Sequence, residues 1–295
     1  MSRRLEESYD EFPLIEEAFR AALDESLRPR SPELLYEIVA GLGLPEGSPV
    51  IDVGCGDGAH SHRLAERFGF SVIGIDPFPP NVDEGRVRFL RGAAESLPVE
   101  NEIADLLWCR GVLVHVVDLD GAYAEFHRVL RDGGYALVYE AFATDRLEPR
   151  EAEWLFQALG VVAASADPSR TEDAIAAAGL RVDERVVLGS EWGEWSEEQS
   201  GAVGRKLLHA ARLLRAPDRY RAQFGEAAYE IMLGDCLWHV YAMIGKLERR
   251  VHVLSRRGAS ARAARASRRR AGAGAETAAR RGGRRARGRR GTSAS

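Results

Sequence analysis

An α/β class with a mostly parallel sheet, covered by helices on both faces, is what this sequence predicts, and three observations predict it. Short apolar runs recur at residues 50–53, 71–75, 104–109 and 135–142. Stretches of helical period separate them, as at 59–68 and 119–130. The first run ends in Gly54, Gly56 and Gly58, as expected of a strand that turns tightly into a helix.

The elements follow in order. Leu14, Ile15, Ala18, Phe19, Ala22 and Leu23 recur with helical period, as do Leu34, Leu35, Ile38, Val39 and Leu42. Residues 1–45 therefore read as a helical N-terminal lid, with Ser31 as a cap, Pro32 at the first helical position and Gly41 and Gly43 near the stop. Strands are expected at 50–53, 71–75, 86–91, 104–109 and 135–142. Asp118 should cap the helix before the fifth, facing Leu119, Tyr123, Phe126 and Leu130 inward until Gly133-Gly134 stops it. Helices at 149–159 and 171–178 lead to a sixth strand at 181–188. A helical insertion over 194–248 and a seventh strand at 251–254 complete a domain of residues 1–254, with its binding core at 46–145.

The net charge of −4 is a sum over two unlike parts. Residues 255–295 hold 14 Arg and one acid, Glu276, a charge of +13, which leaves 27 basic and 44 acidic groups, or −17, on residues 1–254. The tail has no apolar side chain larger than Ala, so it is expected to be disordered. Dense arginines bind phosphate without sequence preference, so a nucleic-acid-associated protein tethered by this tail is an alternative reading. The acidic body argues against nucleic acid as the substrate itself. Cys55, Cys109 and Cys236 are too scattered for a disulfide framework, and the histidines and cysteines show no metal-ligand spacing. With no apolar leader and no 18-residue apolar run, a soluble cytoplasmic protein without a membrane partner is expected.

The strongest chemical signal is Val50-Ile51-Asp52-Val53-Gly54-Cys55-Gly56-Asp57-Gly58. Closely spaced glycines let backbone approach a ligand and open a helix whose N-terminus favours anionic groups. Asp76 stands at the end of the second strand, where a carboxylate can accept hydrogen bonds from both hydroxyls of a ribose. Strand, glycine turn, helix, strand and acid make a Rossmann-like nucleoside-binding half-fold. The glycine spacing is G-x-G-x-G, where dinucleotide enzymes use G-x-G-x-x-G, which makes a nicotinamide-dependent oxidoreductase a lesser alternative.

At these residues the sequence resembles the class I S-adenosylmethionine-dependent methyltransferases of small-molecule type, over residues 45–145. The resemblance implies a seven-stranded sheet and S-adenosylmethionine as methyl donor, leaving S-adenosylhomocysteine. It assigns donor contacts to Asp52, Gly54, Cys55 and Gly56 in the first motif, and to Asp76 and Pro77 at the ribose. It places Ala94 and Glu95 beside the adenine, and Cys109 and Arg110 beside the methionine portion. Two departures matter. Only nine residues, 77–85, separate Asp76 from the third strand, so the helix that usually crosses there must be shortened or missing. No Asn/Asp-Pro-Pro-aromatic tetrapeptide follows strand four, which disfavours DNA adenine and protein glutamine as acceptors.

Methyl transfer from a sulfonium is an in-line displacement in which alignment dominates, with a base needed only for a protonated nucleophile. His115, in the loop after strand four, is the candidate base, and Glu140 near the end of strand five is a candidate to hold an acceptor amine or hydroxyl. Glu191, Trp192 and Trp195 offer two indoles and a carboxylate that could enclose a cationic acceptor; anchoring the insertion to the sheet is an equal reading. The expected activity is methylation of an O, N or C centre on a small metabolite, in secondary metabolism, with the insertion as substrate cap.

Overall fold

The computed structural model describes residue 16 and residues 19–256, so expectations about the other N-terminal residues and about the tail after Arg256 lie outside the described residues. Seven strands make one sheet: β1 (Pro49–Val53), β2 (Ser71–Asp76), β3 (Val87–Arg91), β4 (Ala104–Arg110), β5 (Leu130–Ala143), β6 (Arg181–Gly189) and β7 (Leu247–Ser255). Their order is β3-β2-β1-β4-β5-β7-β6. β1 to β5 pair in parallel, and β7 inserts antiparallel between β5 and β6. The helices are α1 (Leu34–Gly41), α2 (Ala59–Phe68), α3 (Leu119–Val129), α4 (Pro149–Leu159), α5 (Pro168–Ala177), α6 (Glu191–Ser200), α7 (Ala202–Arg215), α8 (Pro217–Phe224) and α9 (Glu226–Met243).

Alternation along the strands builds a core on each face. Ile51, Val53, Leu107, Cys109, Ala136 and Val138 pack with α3 and α5 through Tyr123, Phe126 and Ile175. Their neighbours Val50, Val72, Leu106, Trp108 and Leu137 pack on the other face with Tyr36 and Val39 of α1, Leu64 of α2 and Trp192 of α6. The glycine turn therefore sits at the carboxyl edge of a sheet held rigid from both sides.

Several boundaries differ from expectation, each for a local reason. Asp118 caps α3 through Gly121 N–H at 2.9 Å, but the helix ends at Val129 because Leu130 joins the ladder opposite Ala104; Gly133, at φ +85°, then takes the bend. Ser31 Oγ accepts from Glu33 N–H at 3.2 Å, two residues early, and Glu33 is the cap of α1. β7 begins at Leu247, where Glu248, Arg249 and Arg250 mask the strand in the sequence, so the helical insertion spans 191–243. Ser255 completes β7 and Arg256 exchanges backbone hydrogen bonds with Gly133 and Gly134, moving the end of the folded body past residue 254. Phe19 and Leu23, expected on an inward stripe, are exposed. Among the described residues no helix is long and apolar enough to cross a membrane, and no group of metal-ligating side chains occurs.

Candidate active site

Gly54, Gly56 and Gly58 all take positive φ, of +71°, +53° and +80°, which L side chains adopt only under strain. The turn is clipped to the next strand: Gly54 N–H donates to Ile75 O at 2.7 Å, and Gly56 N–H to Asp76 Oδ2 at 3.0 Å. Asp76 Oδ1 accepts from Phe78 N–H at 2.8 Å, so two amides fix the carboxylate at the strand end. Residues 77–86 cross to β3 without a helix, as the short spacing required, and Phe78 stands exposed beside the opening.

A cavity of about 370 Å³ lies over this edge. Gly54, Asp76, Pro77, Ala94, Glu95 and Arg110 line it as expected, joined by Ile75, Gly92, Ala93, Gly111, Val112, His115 and Val116. Asp52, Cys55, Gly56 and Cys109 do not line it. Asp52 is buried under the turn and accepts from Ser61 Oγ at 2.6 Å, a brace between β1 and α2; burial pushes its carboxyl up to about 7. Cys109 points into the core, its thiol held well above the ordinary range by burial, and Cys55 packs close to Gly74 with its thiol pushed up to about 12. Gly56 spends its amide on Asp76.

His60 stands in the first turn of α2 and carries no motif of its own. It sits between Tyr36 Oη, 2.5 Å from Nδ1, and Arg110 Nη1, 3.0 Å from Nε2, with its ring 5.6 Å from that of Trp108. Burial first, then the Arg110 charge, lowers its pKa to about 4, so the ring is neutral. Guanidinium can only donate, so Nε2 accepts and Nδ1–H donates to Tyr36. His60 thus holds Arg110 at the cavity wall.

A second cavity, of about 230 Å³, adjoins the first and shares Gly111 and His115 with it. Its other walls include Tyr139, Glu140, Leu159, Val161, Asp235 and Trp238. His115 Nδ1 lies 2.9 Å from Gly160 O; a carbonyl only accepts, so Nδ1 carries the proton and Nε2 of the neutral ring keeps a free lone pair. Glu140 is buried, and its Oε1 accepts from Val112 N–H at 2.9 Å and Leu113 N–H at 2.8 Å, at the head of the short turn Leu113–His115. Glu140 therefore holds the loop that presents His115, in addition to lining the cavity where it was expected to hold an acceptor. Its Oε2 has no protein partner among the described residues.

Burial pushes the Glu140 carboxyl up to about 7, against an ordinary 4.5. Between those values the folded state binds the proton that the unfolded chain has lost, so this group's contribution to stability falls as pH rises from 4.5 to 7. Asp52 acts in the same sense, while His60 and His252, both lowered to about 4, act in the opposite one, so the whole-protein profile conceals each. Comparing Glu140→Gln with the parent isolates it. The variant should gain on the order of 3 kcal/mol relative to the parent between pH 4.5 and 8. Denaturant melts across that range check this, and a constant difference would rule it out.

Glu191, Trp192 and Trp195 do not line either cavity. Glu191 is paired with the guanidinium of Arg30 and accepts from Arg30 N–H at 3.0 Å, which lowers its pKa and ties the segment before α1 to α6. Trp192 stacks on Tyr139 with centroids 4.4 Å apart and planes at 19°, and Trp195 is half-buried on the same helix. The insertion instead contributes Asp235 and Trp238 of α9, which carry no local motif.

Residues 51–138 match the family model described as a methyltransferase domain. The chain is 31% identical over 116 residues to the sterol 24-C-methyltransferase of Schizosaccharomyces pombe, a match covering 35% of this chain and 30% of that protein. The chain thus spans about a third of the length of that curated relative. Among solved structures, the [4+2]-cyclase SpnF superposes with a TM-score of 0.58 at 21% identity, over 79% of this chain and 85% of that one. The geranyl diphosphate C-methyltransferase of Streptomyces coelicolor, crystallised with Mg2+, geranyl diphosphate and S-adenosyl-L-homocysteine, superposes with a TM-score of 0.55 at 14% identity, over 76% and 80%.

Proposed function

From the premise that residues 51–138 are a methyltransferase domain within a class I methyltransferase fold, we propose that the protein methylates an O, N or C centre of a small molecule, using S-adenosylmethionine. One observation carries the reading: two cavities walled by different elements meet at Gly111 and His115, as transfer between a bound donor and a bound acceptor requires.

The walls of the larger cavity fit the donor. Asp76 offers a fixed carboxylate to a pair of ribose hydroxyls, and Ile75, Ala94 and Val112 give apolar surface for a flat base. Arg110 Nε is buried without a partner among the described residues, an unspent donor for a carboxylate. When bound, S-adenosylmethionine supplies a methyl group already activated by its sulfonium charge. Glu140 orients the loop, and His115 receives a proton at Nε2 if the acceptor atom arrives protonated. Asp235 and Trp238 of the insertion wall the acceptor's side, so the helices of 191–243 serve as a substrate cap and the segment before α1 as a lid. A cytoplasmic setting, favoured by three free buried thiols, and a role in secondary metabolism belong to the same proposal.

His115→Ala should lower kcat by roughly 100-fold for an acceptor that must lose a proton, with a far smaller effect on S-adenosylhomocysteine affinity. An unchanged kcat for a hydroxyl acceptor would remove His115 as base. Calorimetry with S-adenosylhomocysteine and with NADH tests the donor: one site for the former and none for the latter is expected, and the reverse would make the protein an oxidoreductase.

A further inference from the structure

We propose that the acceptor is a molecule with an extended apolar tail, seated in a groove of the insertion that leads into the acceptor cavity; this rests on the methyl-transfer reading above. The groove, of about 400 Å³, lies where α7, α8 and α9 meet, and Leu213, Tyr220, Phe224, Tyr229 and Met232 face it. That volume is within the range of small-molecule sites.

Its place along two antiparallel helices says what occupies it. On α9, Met232 faces the groove, Asp235 one turn on faces the acceptor cavity, and Trp238 follows. On α7, His209 faces the groove, and Lys206 one turn back is ion-paired with Asp235. Residues three apart are neighbours on a helix surface, so the Lys206–Asp235 pair stands between groove and cavity. His239 Nε2 lies 3.6 Å from the other oxygen of Asp235, so this polar partition is held from both helices. From Tyr229 to Trp238 the path rises about 14 Å along α9. An acceptor spanning it places its apolar tail among the aromatic side chains, a polar segment at the Lys206–Asp235 pair and its reacting atom near His115. The sequence reading treated α7 to α9 only as a cap; the groove is the part of it left unfilled by protein.

The test titrates hexan-1-ol, octan-1-ol and decan-1-ol against the full chain saturated with S-adenosylhomocysteine, by calorimetry. Affinity should tighten about two- to fourfold per added methylene. Met232→Arg, and Ala228→Arg should the first fail to fold, should abolish this dependence, while Leu207→Arg, exposed on α7 outside the groove, should keep it. Affinity independent of chain length, or a series unchanged in Met232→Arg, would overturn the proposal. So would sedimentation showing a dimer that Met232→Arg dissociates, or Met232-dependent capture by phosphatidylglycerol vesicles without chain-length dependence, since a second copy or a membrane would then own the face. Failure of the methyl-transfer reading shows separately, as absent S-adenosylhomocysteine binding before any alcohol is added, and would overturn both.

Discussion

Replacing Asp76 by Ala should weaken S-adenosylhomocysteine binding by roughly 100- to 10,000-fold, the loss of two hydrogen bonds to a charged acceptor at about 1.5–3 kcal/mol each. The carboxylate has a second duty, since it accepts from Gly56 and Phe78 and so holds the glycine turn against the end of β2. Asp76→Asn is intermediate. It keeps one acceptor oxygen but loses the charge and turns an NH2 toward one of the two backbone N–H groups, so its affinity and its stability should both fall between the parent and Asp76→Ala. Calorimetry and thermal melts on the three proteins check this; an unaltered dissociation constant in Asp76→Ala would mean that the ribose assignment is wrong.

Gly54→Ala should cost about 2–5 kcal/mol of stability and abolish donor binding as well. The residue holds φ +71°, and an added Cβ would meet Val112 Cγ2 at 2.1 Å. A left-handed alanine costs about 1–2 kcal/mol, and forcing apart packed atoms about 1–3 more. Val112 belongs to the loop that Glu140 holds and lines both the donor cavity and the approach to His115, so any relief of the clash displaces the wall that the donor needs. Gly56→Ala, at φ +53° with open space around the added Cβ, should show the strain without the collision, and therefore the smaller loss. Equal losses for the two variants would contradict this account of Val112.

Much of this arrangement was legible from residues close together in the chain. The helix over 59–68, the cap at Asp118, the acid at the end of β2 and the missing helix before β3 are set by local pattern, spacing and the glycines, and all stand where they were read. The direction of a side chain at a strand end was less legible. Asp52 and Cys109 lie within the motifs that bind the donor in the resembling family, yet here one braces Ser61 and the other fills the core, while their neighbours Gly54 and Arg110 face the cavity. Strand alternation could have told Cys109 from Arg110, because Leu107 and Cys109 must share a face. On the acceptor side only His115 and Glu140 were legible. Asp235 and Trp238 share a cavity with His115, about 120 positions earlier in the chain, because α9 packs across α4, whereas Glu191 and Trp192 mimic a cage in sequence but are spent on Arg30 and Tyr139.

The central claim is that donor and acceptor cavities meet at His115. A crystal structure of the protein grown with S-adenosylhomocysteine tests it most directly. The account predicts ribose hydroxyls on Asp76, the base against Ala94 and Val112, and the sulfur at the Gly111–His115 junction, facing Asp235 and Trp238. A ligand bound with its sulfur turned away from that junction, or bound elsewhere on the sheet, would contradict it.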